Sequence, residues 1–265
     1  MSAYKTLLVE DQGPVRLLTL NQPAIFNPVD EVSGPELVAA LDQAERAAGV
    51  RVLVLTGAGK AFSGGGNVRK MHQVLAAGQK LSPFLADLAA VLHRSISTMR
   101  RMPKPIICAL NGVASGGGLG WALACDLVVA ADSARLDPGY VRIALSPDGG
   151  SSGLLSRALG LQRASEFFLL GRALDAQAAL ARGLVNLVLP AEQVLPQALE
   201  WASELAQGPA QALAATKALI NRALYGDLET IMEDERQSIC AMSDLPDAAE
   251  GLNAFFAKRK PRFGG

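Results

Sequence analysis

Lys60-Ala61-Phe62-Ser63-Gly64-Gly65-Gly66-Asn67 follows the apolar run Val50-Arg51-Val52-Leu53-Val54-Leu55-Thr56-Gly57, and this succession decides the fold class. A run so rich in β-branched side chains reads as a strand buried on both faces, the kind that builds parallel sheets. The three glycines after it remove every Cβ that would hold a ligand away from the main chain. They also permit positive φ, so that several N–H groups can converge on one point. The pattern recurs when Ile106-Ile107-Cys108-Ala109-Leu110 ends at Asn111-Gly112 and leads to Gly116-Gly117-Gly118, which opens a helix over 119–125. Free amides and the helix dipole favour negative charge there. One such loop is as readily a tight turn as a site. Two of them after buried strands point to an anion or oxyanion site.

Working outward, the pattern predicts a β-hairpin from 6–9 and 15–20 around Asp11-Gln12-Gly13-Pro14. A helix follows, announced by Ser33 with Glu36 three residues on, a capping-box spacing, and by Pro35 in the first turn. A second helix spans 84–102, and a strand over 126–131 follows the short helix after Gly118. This is an α/β chain in which strands feed glycine-rich turns and then helices. Beyond Gly149 the pattern is almost all helix, near 162–170, 175–182, 191–207, 209–225 and 228–242, with one short strand at 184–188. The division expected is an α/β core over 1–190 and a C-terminal helical region over 191–265.

Composition excludes several function classes. The chain has 265 residues, half of them hydrophobic, and a formal net charge of zero with scattered Lys and Arg. No basic stripe with interleaved aromatics suggests nucleic acid, and no apolar run approaches the ~18 residues of a membrane helix. Met1-Ser2-Ala3-Tyr4-Lys5 lacks the apolar core of an export signal, and three widely spaced cysteines fit a reducing compartment, so a cytoplasmic location is expected. His72 and His93 are the only histidines, and neither sits in a ligand cluster, so no metal site is expected. Neither G-x-x-x-x-G-K-[ST] nor a well-placed G-x-G-x-x-G occurs, which argues against nucleotide chemistry. Gly149-Gly150-Ser151-Ser152-Gly153 matches the hydrolase elbow, but that chemistry needs a later histidine and both histidines precede Ser151. Asp148, behind Ile143-Ala144-Leu145, is either an N-cap of the following helix or a general base whose pKa is lifted by a partly dry cleft.

Further landmarks join these: Asn21-Gln22-Pro23 with Asn27, Lys104-Pro105, Cys125-Asp126, Pro147-Asp148-Gly149-Gly150, Gly183-Leu184-Val185 and the terminal Phe256-Ala257-Lys258-Arg259-Lys260-Pro261-Arg262-Phe263. As an ordered set over nearly the whole chain they resemble the crotonase (enoyl-CoA hydratase/isomerase) superfamily. The resemblance implies a spiral of ββα units with a C-terminal helical region that mediates homotrimers, often paired into hexamers. It implies acyl-CoA thioester substrates, with coenzyme A entering as part of the substrate and no separate cofactor. Position by position, the two amides that hold the enolate oxygen fall on Gly66 and Gly117, and Gly64 falls beside the CoA adenine end. Lys258 and Lys260 fall where they could reach CoA phosphates, and the acyl pocket is expected from residues around Met71–Leu88 and from Tyr140.

The departures are as informative. The two glutamates with which hydratases of the family handle water fall on Gly120 and Tyr140, and Asn67 stands in place of a common aspartate. Asp148 matches an aspartate with which some isomerases of the family move a proton. The pattern is most similar to the ring-1,2-epoxyphenylacetyl-CoA isomerase branch. The expected activity is therefore an isomerase that shifts a double bond or rearranges an epoxide, with Asp148 as acid/base. A hydratase using Asp148 alone and a catalytically silent acyl-CoA-binding homologue are the alternatives.

Overall fold

The computed structural model of the protein describes residues 4–225 and 227–263, and Met1-Ser2-Ala3 of the stretch read for an export signal lies outside them. Strands β1 (Leu7–Gln12) and β2 (Val15–Leu20) form the expected hairpin, closed at Gly13 with φ 61°. Helix α1 (Ser33–Arg46) leads to β3 (Val52–Gly57), which is buried at every position. A three-residue strand β4 (Ala61–Ser63) then precedes α2 (Val68–Ala76) and the long α3 (Leu81–Arg101). The next unit runs β5 (Ile106–Leu110), β6 (Val113–Ser115) and α4 (Gly117–Ala124), and the one after begins β7 (Leu127–Ala131), β8 (Arg135–Asp137).

A single 3-10 turn at Tyr140–Ile143 leads into α5 (Ser151–Leu159) and α6 (Leu161–Leu169). Then come β9 (Leu174–Asp175), α7 (Ala176–Ala181) and β10 (Leu187–Leu189). The C-terminal part is α8 (Ala191–Gln207), α9 (Ala210–Tyr225), α10 (Leu228–Ser243) and α11 (Pro246–Phe256).

The strands sort into two sheets. One has the order β1-β2-β3-β5-β7-β10, parallel apart from the first hairpin; the other has the order β4-β6-β8-β9. Each pair β3/β4, β5/β6 and β7/β8 thus sends its long strand to the first sheet and its short strand to the second. This is the spiral of ββα units expected from the resemblance. Along α8 the buried positions Val194, Ala198, Ala202 and Ala206 recur every fourth residue, and three of them are alanine, so this helix lies close against β3, β5 and β7. Among the described residues no helix is long and apolar enough to cross a membrane.

The predicted capping box at Ser33 and Glu36 does not form. The Asp30 carboxylate accepts from the N–H groups of Val32 (3.0 Å) and Ser33 (2.9 Å), and the Ser33 hydroxyl donates to Pro28 O at 2.6 Å. With α1 already capped, Glu36 turns to the chain start and accepts from Lys5 N, Thr6 N and Thr6 Oγ1. The strand expected at 184–188 is shorter and shifted to Leu187–Leu189. Helix α9 is tied to the core by a buried charge cluster. Lys217 Nζ lies 2.8 Å from Asp126 Oδ2 and donates to Met99 O and Lys104 O, while Arg100 Nη1 lies 3.0 Å from Asp126 Oδ1. Ionic groups this deep are tolerated only when paired and hydrogen-bonded, as these are.

Candidate active site

Asn27 sets the first glycine loop. It is buried, with φ 49°, and its amide nitrogen donates to Ala58 O and Ala61 O (2.9 Å each) while its Oδ1 accepts from Gln22 N. The Ser63 hydroxyl donates to Asn27 O at 2.8 Å, pinning the end of β4 just before Gly64. The second loop packs directly on the first. Gly65, at φ 82°, faces Ser115 O and Gly116 Cα so closely that a Cβ there would meet backbone, and a Cβ on Gly118 would lie 2.5 Å from Ser63 Cβ. Glycine is required at both positions by the close approach of two segments of the chain. Among the described residues neither Gly66 N nor Gly117 N donates a hydrogen bond. Gly117 begins α4, so its free amide also stands at a helix N-terminus.

Both amides belong to the wall of one cavity of about 280 Å³. Gly64, Gly66, Gly117, Tyr140 and Asp148, drawn from four separate loops and turns, all line it. Its apolar walls come from Val29, Met71, Leu85, Leu88, Leu92 and Ile239, so the region around Met71–Leu88 contributes as expected, as faces of α2 and α3. At the Gly64 rim a groove of about 530 Å³ adjoins it, lined among others by Phe26, Lys60, Arg69, Phe255 and Phe256. Lys258 and Lys260 line neither space; Lys260 lies in a cleft with Glu250, Arg259 and Arg262. Asn67 caps α2, its Oδ1 accepting from Lys70 N at 3.2 Å. Among the described residues no three His, Cys, Asp or Glu side chains form a group that could hold a metal ion.

Asp148 is not the N-cap of α5. Gly150 holds that position without a side-chain bond, and the α5 amides are taken instead by Glu235 of α10, which accepts from Gly150 N (2.5 Å), Ser152 N (2.8 Å) and the Ser152 hydroxyl. The Asp148 carboxylate is thereby left to Tyr140, whose hydroxyl donates to Oδ1 at 2.7 Å. Burial pushes the Asp148 pKa up to about 6, against the opposing pull of the Tyr140 hydrogen bond. Burial, with the Asp148 charge beside it, holds the Tyr140 phenol well above its ordinary value, so it serves as a donor and not as a base. Burial likewise lifts Glu235 to about 7, although its three hydrogen bonds favour the charged form. The other charged groups of the wall, Asp137 and Arg142, pair with each other at 2.6 Å.

Gly120 faces this turn from α4. A Cβ built there would lie 2.5 Å from Gly149 O and 3.0 Å from Ile96 Cδ1, so no side chain fits while the 148–150 backbone keeps its path. The elbow serine is inert in this setting: Ser151 Oγ donates to Asp148 O at 2.7 Å. His72 bonds Asn253, and His93 is half-buried, with its pKa pushed down by desolvation to about 4; neither lines the cavity. Ile239, Phe255 and Glu235 were not singled out in the sequence, because they enter from C-terminal helices far along the chain. Only Pro246 at the first position of α11 signals that the helix carrying Phe255 exists.

Comparison with known proteins bears on the family and the fold. A family model described as Enoyl-CoA hydratase/isomerase matches residues 10–265. A probable enoyl-CoA hydratase of Rhizobium meliloti is 34% identical over 98% of both chains. The 1,2-epoxyphenylacetyl-CoA isomerase of Escherichia coli is 35% identical over 95% of both chains. The crystal structure of an enoyl-CoA hydratase from Mycobacterium avium subsp. paratuberculosis superposes with a TM-score of 0.88 at 30% identity, covering 99% of this chain and 100% of its own.

Proposed function

The chain belongs to the enoyl-CoA hydratase/isomerase family, and from that membership we propose that it is an acyl-CoA isomerase working through a thioester enolate. Asp148 removes a proton activated by the thioester. The electron pair of the broken C–H bond moves through the adjoining carbons onto the thioester oxygen, and the N–H groups of Gly66 and Gly117 hold the oxyanion. The same carboxyl then returns the proton at another carbon, giving the shifted double bond. Nothing is added or lost, so one carboxyl is enough and no cofactor beyond the CoA of the substrate is called for. A carboxyl poised near 6 suits this work, since it is ionised at neutral pH yet basic enough to accept a carbon acid's proton. Each well-aimed amide donor of this kind contributes ~3 kcal/mol to the transition state.

The observation that carries the choice of isomerisation is the closed position at Gly120, where a Cβ would lie 2.5 Å from Gly149 O. Paired-carboxylate hydration needs an acid there, and the backbone fills the space. The hydratase alternative, with Asp148 alone, has in its favour the naming of relatives such as the Rhizobium meliloti protein as probable enoyl-CoA hydratases. The Lys60 and Arg69 groove beside Gly64 is proposed to take the CoA phosphates and adenine. Exposed Leu219, Ile220 and Leu224 on α9 support self-association into the trimer implied by the family resemblance. The test is Asp148→Asn assayed with a 3-enoyl-CoA, alongside crotonyl-CoA for hydration. Loss of isomerisation, with no 3-hydroxybutyryl-CoA formed by the parent, supports the reading. A folded variant at the parent rate, or rapid hydration by the parent, overturns it.

A further inference from the structure

We propose that Glu235, on α10, is a positioning residue for Asp148: it binds the first amides of α5 and so leaves the Asp148 carboxylate free to face the cavity. The inference rests on Asp148 being the base. A helix start presents N–H groups that need acceptors, and the usual acceptor is a short side chain at the N-cap in extended conformation. That solution is closed here. Gly149 and Gly150 have φ of 63° and 68°, the left-handed path that brings Asp148 to the cavity, and a residue at 150 with a capping side chain would be strained. Asp148 is the nearest remaining acceptor in the sequence. If it turned to the α5 amides, its carboxylate would leave the Tyr140 hydroxyl and the cavity wall.

Glu235 removes that competition from a distant part of the chain. Its Oε2 takes Gly150 N at 2.5 Å and its Oε1 takes Ser152 N at 2.8 Å, with the Ser152 hydroxyl as a third donor. The same turn is closed internally, because Ser151 N (3.2 Å) and Ser151 Oγ (2.7 Å) both donate to Asp148 O. A continuous bonded path therefore runs from the α10 carboxylate through the α5 start to the backbone of the base. Helix α10 is held in register by its packing on α3 and α5, where Gly153 approaches Ile231. One turn beyond Glu235 the same helix places Ile239 in the cavity wall. A carboxylate is a costly group to bury, and stability alone would be served more cheaply by an apolar residue against a conventional cap.

The test compares Glu235→Gln and Ser152→Ala with the parent and Asp148→Asn. Across the turn Glu235 faces Asp148 and Tyr140. Other charged groups on or beside α10 are Asp234, the pairs Glu233–Arg236, Glu229–Arg101, Arg157–Asp227 and Lys80–Asp244, His93 on α3, and Asp247 with the Glu250–Arg259 pair of α11 and its tail. In Glu235→Gln the amide nitrogen meets an N–H donor, the turn loses its hold, and kcat falls about 100-fold, the scale of an ångström-sized misplacement. KM stays within about threefold, because the apolar wall and the two amides are untouched. The pH profile of kcat/KM also simplifies, losing the contribution of the second carboxyl that ionises near 7. Ser152→Ala, which removes one of the three donors, gives a smaller fall of kcat in the same direction and keeps the assignment testable if the first variant does not fold. Parental kcat with a superimposable pH profile in the folded Gln variant, or a parental Ser152→Ala beside an unfolded one, overturns the inference. A fully active Asp148→Asn overturns the base assignment instead, and this inference with it.

Discussion

Replacing Asp148 by Asn should make the protein more stable at the pH where it makes it inactive. The folded-state pKa of about 6 lies above the 3.8 of a free aspartate because burial penalises the charge. A carboxyl raised in this way binds its proton more tightly in the folded state. Its contribution to stability is therefore fully present below pH ~4 and is lost as pH rises through 6. At 1.36 kcal/mol for each pH unit between 3.8 and 6, keeping Asp148 ionised at pH 8 costs about 3 kcal/mol. Asparagine carries no charge, has nearly the same shape, and can still accept from the Tyr140 hydroxyl through its amide oxygen. Its advantage over the parent should be below ~1 kcal/mol at pH 4 and about 3 kcal/mol at pH 8. For a chain of this size that corresponds to a rise of roughly 6 °C or more in Tm at pH 8. Thermal unfolding of both proteins from pH 4 to pH 8, at equal protein concentration, measures the difference. A Tm difference that does not change with pH, or a variant less stable than the parent at pH 8, would refute the claim that a buried carboxylate is held there against its solvation.

Two further outcomes follow from the same geometry. Tyr140→Phe removes the hydrogen bond that favours ionised Asp148, so the acid limb of kcat/KM should move above pH 6 by roughly one pH unit, for a bond worth ~1 kcal/mol. A limb that stays in place or moves down argues that Tyr140 does not bond the catalytic form. Gly120→Glu should not gain hydration of crotonyl-CoA; it should lose several kcal/mol of stability or fail to accumulate as folded protein, because its Cβ meets Gly149 O at 2.5 Å. A stable Gly120→Glu protein with hydratase activity would show that the 148–150 backbone yields easily.

The parts of this structure that were legible in the sequence are those whose signal is longer than one structural period. The six positions of β3 and the five of β5 are wholly buried, and Val52–Leu55 and Ile106–Leu110 appear as unbroken apolar runs. The second strand of each unit is not legible. β4, β6 and β8 have three residues each, and three residues cannot display an alternation. The helix at Ser33 was legible but its cap was not, because a reciprocal pair one step earlier, Asp30 with Ser33, takes the amides and releases Glu36 to a tertiary partner. In the site, the two glycine loops and Asp148 stood out as local motifs, whereas Gly64, Gly66, Gly117 and Tyr140 were assigned individually through the family resemblance; the fold brings all five residues to one cavity. Whether Asp148 capped a helix could not be decided locally. The answer lies in Glu235, whose bond to Gly150 spans 85 residues of chain.

The carbonyl of Gly149 against Gly120 carries a lesson for redesign. The feature that bars a second acid from this cavity is a stretch of main chain, not a missing side chain, so the obstacle is topographical. A laboratory search that explores one residue at a time would find every occupant of position 120 blocked and would record the site as intolerant. The order of events matters: the path of 148–150 must be rebuilt first, by a loop exchange that withdraws the carbonyl, and only afterwards does an acid at 120 have a place to stand. The two glycines that give the present turn its shape thus act as a ratchet on the chemistry that this scaffold can acquire.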